Sequence, residues 1–503
     1  MTQSPTYHDL TIAGGIRASA ARNPDKPALA MGKRELTYRD LVSRLNRVGN
    51  GAVEGLGLGG HRAAILTPNC LEFVELVAGL SEAGVTAVLI NPKLTLDEIA
   101  YICEDSDSRV LFAHPDLAEV AHAVPGIERV IVLGDDYEDW LIGAADTAPK
   151  AHVSETDAFA MHYTAGTTGK PKGVLVSHRS RALTFFGMAV EYGCYGPDDR
   201  ALGIAPMFHG AGLAFALAPV FFGGFCRILP RFDPEESLCL LAEGGYGTTF
   251  LVPTHFNAIF NLPQATLDRY RRPTQLRTIV SNAAPLAQAV KERIVDYFGD
   301  GILHETYGST EGGIVTNLRP RDQLRKLQCV GLPFAHTEVR LLDENGQQVP
   351  QGEIGELFSR SPYLFNGYWN RPEATEEALR DGWLSVGDLA KRDEEGYIYL
   401  VDRKKDVIIS GGVNIYPREV EECLHAHPGV AEAAVVGVAD DYWGEMVKAF
   451  VVSRDGNNLD AETVMAHCTP RLASYKLPKE ISFVDALPRN AAGKVLKREL
   501  RDR

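Results

Sequence analysis

The sequence has no Cys-x-x-Cys pair and no cysteine–histidine spacing of the zinc-binding kind. Its eight cysteines, Cys70, Cys103, Cys194, Cys226, Cys239, Cys329, Cys423 and Cys468, are scattered. That excludes a disulfide framework or structural metal as the organising device and leads us to expect reduced thiols in a cytoplasmic protein. It also lacks an excess of basic residues: 51 Lys and Arg face 66 Asp and Glu, a formal charge of −15. Generic binding to nucleic acid or anionic membrane is thereby excluded, although a local basic or amide-rich site can still hold an anion. No apolar run reaches the roughly 20 residues needed to cross a bilayer. The most apolar stretch, Gly210 to Phe225, contains Pro219 and is expected to be a buried helix or floor. Residues 1–10 have no basic start followed by an apolar run, so no secretory signal is expected. Internal repeats and low-complexity segments are missing as well.

What is present is ordinary globular composition, 45% apolar and 23% charged, over 503 residues, which is long enough for two or more domains. The first third alternates. Thr37 with Asp40 marks a helix start, and Leu41, Leu45 and Val48 share one helical face. Apolar runs at Ala63 to Leu66, Thr86 to Ile90 and Val110 to Ala113 enclose helical stretches at Leu71 to Leu80 and Thr95 to Cys103. Strands and helices at this spacing predict an α/β fold, with a parallel sheet covered by helices. Near residue 400 the composition shifts. Gly396 to Val401 reads as a strand, and Asp402 to Asp406 is a compact charged run that, taken alone, would be a solvated turn. A small α/β unit follows, with helices predicted over Arg418 to His425 and Ala461 to Leu472 and strands over Ala433 to Val438 and Ala449 to Val452.

The strongest chemical signal is Tyr163-Thr-Ala-Gly-Thr-Thr-Gly-Lys-Pro-Lys-Gly-Val174. Gly166, Gly169 and Gly173 let backbone amides turn toward an anion. Thr164, Thr167 and Thr168 add hydroxyls, and Lys170 and Lys172 add charge. This is a phosphate grip, and it differs from the Gly-x4-Gly-Lys-Ser/Thr loop because Gly166 and Gly169 are too close and Pro171 follows Lys170. The string resembles the signature of the adenylate-forming superfamily of acyl-CoA synthetases, carrier-loading adenylation domains and luciferases. Four further segments match that family in order: Tyr307 to Gly312, Trp383 to Asp388, Asp402 to Asp406, and Pro488 to Lys494.

The resemblance implies a large N-terminal domain of helix-covered sheets, residues 1–402, holding ATP and acid. A small mobile C-terminal α/β domain, residues 403–503, would carry the hinge, the coenzyme A route and a catalytic lysine. It implies that Tyr307, with Gly308 and Ser309, offers a face for adenine, that Thr310 donates to the α-phosphate, and that Glu311 binds Mg²⁺ together with Thr164. Asp388 is implied to accept the ribose hydroxyls, with Arg403 as a further ribose or phosphate contact. Lys494 would neutralise charge at the reacting oxygen, and Lys405 would be the hinge. Ser281 to Pro285 resembles the segment at the adenine edge, placing Asn282, Ala283 and Ala284 beside the base; Glu305 could accept from the adenine amino group. Outside this context a lone tyrosine, a Gly-Asp turn or a terminal lysine would be core, cap and solvated surface respectively. Glu311 is not needed as a base, because a carboxylate is already ionised at neutral pH.

Pro206 to Gly212 resembles the border of the acyl site, with His209 as gate or wall; without the family it would be a core histidine. No Asp lies between Met207 and Phe222 to hold a substrate ammonium, so a neutral acid tail is expected. The resemblance also implies that Phe185, Phe186, His209, His255, Phe256 and Gly308 line an aromatic, mid-sized pocket, for a medium-chain, cyclic or aromatic acid. Ser410, Gly411, Gly412 and Trp443 resemble the lining of the coenzyme A route. The implied activity is ATP- and Mg²⁺-dependent ligation of a carboxylic acid to coenzyme A, with no nucleic acid partner, no integral membrane segment and homodimerisation left open. A ligase loading a separate carrier protein, a luciferase-type oxygenase and a catalytically silent ATP-binding regulator are the alternatives. No carrier domain is expected after Arg503.

Overall fold

The computed structural model describes residues 9–164, 170–454, 459–489 and 495–501. The chain forms two compact units, one comprising Met1–Val339 with Ser359–Leu384, the other Arg340–Phe358 with Ser385–Arg503. The first is built on two sheets. In the seven-stranded sheet, Ala158–Thr164, Thr86–Ile90, Arg62–Leu66, Val110–Ala113 and Arg129–Val132 run parallel, while Lys172–Ser177 and Gly367–Tyr368 add antiparallel strands beyond Ala158–Thr164. The parallel strands are apolar on both faces because helices cover both; Val110–Ala113 is buried throughout. Thr37 and Thr95 begin their helices with full capping boxes, closed by Asp40 and Glu98.

The second sheet has nine strands, of which Leu303–Ser309, Thr278–Ser281, Thr248–Leu251, Arg200–Gly203, Phe225–Ile228 and Pro27–Met31 run parallel. Their carboxyl ends deliver residues 204–209, 252–256, 282–285 and 306–311 to one edge, the edge at which open α/β sheets bind ligands. Asn69, just past Arg62–Leu66 of the first sheet, reaches that edge. Its side-chain amide donates to the carbonyls of Ala205 (3.2 Å) and Leu229 (3.0 Å), and its Oδ1 accepts from the Met207 amide (2.8 Å). The two sheets therefore meet carboxyl end to carboxyl end. The apolar run at Gly210 becomes a helix, Gly210–Phe221, buried from Gly212 onward.

In the second unit, Asp388–Arg392 and Ile398–Arg403 pair antiparallel beside residues 355 and 356. A separate five-stranded sheet has Gly444–Ser453 at its centre, paired antiparallel with Val430–Asp440 along its whole length. Alternate residues of these strands face two cores. Val435, Val447, Ala449 and Val451 pack with Val420, Leu424 and Val464 of two helices, whereas Ala434, Val436 and Phe450 pack with Leu487 and Leu500. The helix predicted to reach Leu472 spans only Ala461–Cys468. Thr469 still has helical dihedrals, but Pro470 after it has no amide hydrogen with which to continue the helix. None of the eight cysteines forms a disulfide. Among the described residues no helix is long and apolar enough to cross a membrane.

Candidate active site

The phosphate grip sits on a hairpin. Ala158–Thr164 and Lys172–Ser177 pair antiparallel with Thr164 opposite Lys172, so the connecting segment leaves the sheet edge from a fixed base. Gly166, Thr167, Thr168 and Gly169 lie outside the described residues. At the base, a Cβ on Gly173 would stand 2.8 Å from Met161 Sδ, so only glycine lets the strands close there. The Nζ of Lys170 stands 5.0 Å over the Tyr101 ring, and that of Lys172 stands 5.0 Å over the Tyr368 ring. Among the described residues neither lysine has a carboxylate partner, which leaves both charges available to an anion.

The second nucleotide motif is a tight hairpin between Leu303–Ser309 and Gly313–Leu318, with Thr310, Glu311 and Gly312 at the turn. A Cβ on Gly308 would lie 2.0 Å from the Gly313 carbonyl oxygen, and the Gly312 amide donates to Ser309 Oγ at 2.9 Å. Tyr307, Gly308, Ser309 and Thr310 are half-buried, and Glu311 is buried. Tyr368 joins the two motifs. Its hydroxyl donates to Glu311 Oε1 at 2.9 Å, while its ring lies under Lys172. Burial first, then Glu311, pushes the Tyr368 pKa well above the usual phenol range, so it remains a donor. Thr164, Lys172, Tyr368 and Glu311 thus form a continuous set. The sequence reading passed over Tyr368; the signal was the Gly-Tyr-Trp run at 367–369 ahead of a proline-started helix. Trp369 Nε1 donates to the Asp105 carbonyl at 2.9 Å, and Tyr163 and Arg371 donate to the Asp105 carboxylate at 2.8 and 2.7 Å. These bonds fasten the strand that carries Tyr368.

At the adenine-edge segment, the Asn282 side chain donates to Thr306 Oγ1 at 2.9 Å and accepts from the Ala283 amide. Ala283 has φ +78°, a conformation that costs energy for any residue with a Cβ; Ala283 and Ala284 are exposed. Glu305 is buried in an ion pair with Lys291, itself 1% exposed, so its carboxylate is already engaged within the fold. His209 caps the Gly210–Phe221 helix in position only, because its side chain makes no capping bond; it is exposed and tilted 4.5 Å from the Phe208 ring. Of the residues expected to wall an acid pocket, Phe185 and Phe256 are fully buried in cores, whereas Phe186, at 45% exposed, His209, His255 and Gly308 remain accessible at least in part.

In the second unit Asp388 is buried and pairs with Arg403 across the strands, Nε to Oδ1 3.1 Å. Gly411 and Gly412 have φ +56° and +78°, a two-residue turn of the kind that favours glycine at both places. A Cβ on Gly411 would stand 2.7 Å from the Trp443 ring, and the Gly411 amide donates to the Trp443 carbonyl at 2.8 Å; Ser410 lies opposite Gly444. Lys405 is exposed in the turn Lys404–Asp406. Lys494 lies outside the described residues, but both ends of its segment are pinned by the Arg489–Val495 bridge and by the Leu496 amide donating to the Pro488 carbonyl at 2.8 Å. Among the described residues no cluster of three or more His, Cys, Asp or Glu could hold a metal alone. The buried Glu311 carboxylate and the Thr164 hydroxyl are hard oxygen donors, the type that suits Mg²⁺ shared with a nucleotide.

Residues 16–369 match the family model described as AMP-binding enzyme, and residues 419–494 match its C-terminal domain. A feruloyl-CoA synthase from Amycolatopsis is 37% identical over 489 residues, covering 96% of this chain and 97% of the relative. A fatty acid–[acyl-carrier-protein] ligase from Streptomyces coeruleorubidus is 34% identical over 96% of this chain and 94% of its own length. Among solved structures, the o-succinylbenzoate CoA synthetase of Bacillus subtilis, in complex with its acyl-adenylate intermediate, superposes with a TM-score of 0.89 at 30% identity, covering 99% of both chains. The chain belongs to the AMP-binding enzyme family, in its adenylate-forming acyl-CoA synthetase branch.

Proposed function

We propose that this chain is an ATP-dependent acid–CoA ligase working in two half-reactions, with the roles of its residues divided as follows. A carboxylate oxygen of the acid attacks the α-phosphorus of ATP, pyrophosphate leaves, and acyl-AMP forms. The coenzyme A thiolate then attacks the acyl carbon and AMP leaves. The observation that carries this reading is the run Thr164–Lys172–Tyr368–Glu311. It sets Lys172, which has no carboxylate partner among the described residues, beside a buried carboxylate, where phosphates and a divalent cation must be held together. Lys170, Lys172 and the amides of the 166–169 segment hold phosphates, Thr310 donates at the α-phosphate, and Thr164 and Glu311 take Mg²⁺, which would offset phosphate charge. Tyr307 and the Asn282–Ala284 segment flank adenine. Asp388 takes the ribose with Arg403 holding its orientation. Ser410, Gly411, Gly412 and Trp443 border the thiol route. The division at 402/403 with Lys405 as hinge belongs to the same reading, as does a cytoplasmic setting for the eight unpaired cysteines.

The first test is release of pyrophosphate, then of coenzyme A thioester, across benzoate-like, cyclic and medium-chain acids. Acid-dependent pyrophosphate is expected, and its complete absence would leave the silent regulator. A carrier protein as acceptor has one supporting observation. Tyr442, Trp443, Ile409 and Val413 are 83, 48, 55 and 45% exposed, an apolar surface that suits a protein better than a nucleotide. Acyl transfer to a phosphopantetheinyl carrier in place of coenzyme A distinguishes the two.

Glu311→Gln keeps the shape and the acceptor for Tyr368 but removes the ligand charge. The Mg²⁺ concentration giving half-maximal turnover is expected to rise by about tenfold, the equivalent of one lost charge–oxygen contact. An unchanged Mg²⁺ titration would make Glu311 a purely structural partner of Tyr368.

A further inference from the structure

Where the carboxyl ends of the two sheets meet lies a cation that the reaction as described leaves unused. Arg181, near the start of the His178–Tyr192 helix, is 8% exposed. Its Nε is sealed from solvent with no acceptor, and among the described residues no carboxylate and no hydrogen bond reaches the guanidinium. Burial alone lowers its pKa to about 10, which leaves it charged at neutral pH. Beside it, on Ala158–Thr164, stands His162, 3% exposed, with neither ring nitrogen in a well-aligned hydrogen bond. Burial, reinforced by Arg181 and His209, holds His162 neutral, with a pKa of about 3. Both side chains border Gly210: a Cβ built there would stand 3.5 Å from Arg181 Nη2 and 3.7 Å from His162 Nε2. Gly210 opens the Gly210–Phe221 helix, whose first turn has no side-chain cap and no acidic residue. His209, immediately before it, is exposed.

A guanidinium taken out of water without a counter-charge is strongly unfavourable. Here it is joined by the positive end of a helix and a neutral imidazole, and every one of these groups favours a negative charge. The Phe159 ring, 5.9 Å from the guanidinium carbon, is a weak partner that brings no counter-charge, so what is missing is an anion, and the exposed His209 beside the site is on the segment that resembles the border of the acyl pocket. We propose that Arg181, His162 and the first turn of Gly210–Phe221 form a subsite for a second carboxylate on the acid, so that the substrate is a dicarboxylic acid. This rests on the acid–CoA ligase reading and assigns its substrate class. It reverses the neutral tail expected from the lack of an Asp after Met207: that lack excludes an ammonium, while the charge that selects the tail comes from the preceding helix.

The test uses the full chain and matched acids: adipate against hexanoate, and 4-carboxyphenylacetate against 4-methylphenylacetate. Pyrophosphate release and thermal shift are measured for wild type, Arg181→Met and Arg181→Lys, with chloride and inorganic phosphate as separate thermal-shift arms. Wild type is expected to favour at least one dianion over its neutral match by about tenfold or more in kcat/KM. Arg181→Met should erase that preference by lowering only the dianion rate, and Arg181→Lys should keep part of it. A wild-type preference for the neutral acids, or an equal loss on both members of a pair, overturns the proposal. So does stabilisation by chloride or phosphate equal to that by the dianion, which would make the site one for a free anion. If no acid releases pyrophosphate, a dianion-specific rise in Tm that Arg181→Met abolishes still upholds the subsite while the ligase reading falls; no such rise overturns the subsite.

Discussion

Replacing Lys494 with alanine is expected to slow acyl-AMP formation by a factor on the order of 10² to 10³, the effect of losing one preorganised charge donor. Thioester formation from preformed acyl-AMP should be largely retained. The first half-reaction brings an anionic acid against an anionic α-phosphate, so it depends on positive charge at the oxygen that bridges them. In the second, a thiolate attacks the acyl carbon and AMP leaves with the bridging oxygen, in a pose from which the lysine has withdrawn. The described residues on either side of the segment that carries Lys494 are firmly fixed. The Arg489–Val495 bridge closes the segment at its base, Arg489 pairs with Glu432 at 2.8 Å, and Lys497 pairs with Glu421 at 2.8 Å. Just beyond, the helix Lys497–Arg501 buries Leu500 completely against Val436 and Phe450. A Lys494→Ala variant therefore has little reason to unfold, and rapid-quench measurement of each half-reaction reads the chemistry directly. An equal loss in both would overturn the assignment.

The fold and the nucleotide motifs were legible because they are local. Capping boxes at Thr37 and Thr95, apolar runs of strand length, and glycines beside lysines or a carboxylate are written in neighbouring residues. What escaped the sequence is what the sheets bring together from far apart. Tyr368 reaches Glu311 and Lys172 only because Gly367–Tyr368 adds a strand beside Lys172–Ser177. Glu305 looked available to adenine, and nothing near it in sequence announces Lys291 as its buried partner. Phe185 and Phe256 show the same limit: whether either lines a pocket or fills a core depends on helices packed behind it, and both are fully buried. Arg181 is the sharpest case. In sequence it is one more arginine in a charged helix start, and only the fold shows that among the described residues no counter-charge reaches it.

Lys405→Pro is expected to leave adenylation largely intact while lowering thioester formation by at least about tenfold, a barrier increase of roughly 1.4 kcal/mol. A lysine that completes adenylation would obstruct a thiol approaching the same carbon, so the proposed ligase requires two successive poses and one residue whose dihedrals change between them. The surroundings of Lys405 fit that residue. On one side the Lys404 amide donates to the Gly387 carbonyl at 2.8 Å, and its Nζ pairs with Glu356 at 2.8 Å. On the other, Asp406 pairs with Arg501 at 2.8 Å. Lys405 itself is exposed, and its side chain is held by no ion pair among the described residues. A 3.5 Å bond from Arg501 Nη2 reaches its carbonyl, but the ion pairs fall on its neighbours, and this concentrates rotation at Lys405. Proline sets φ near −65° and removes the amide hydrogen, and it also restricts Lys404 before it. The variant should therefore be trapped in the pose it adopts on folding. Single-turnover kinetics of each half-reaction, on protein whose Tm matches wild type, separates the outcomes. If both half-reactions fall together, or neither changes, Lys405 is a charged turn residue and the rotation lies elsewhere.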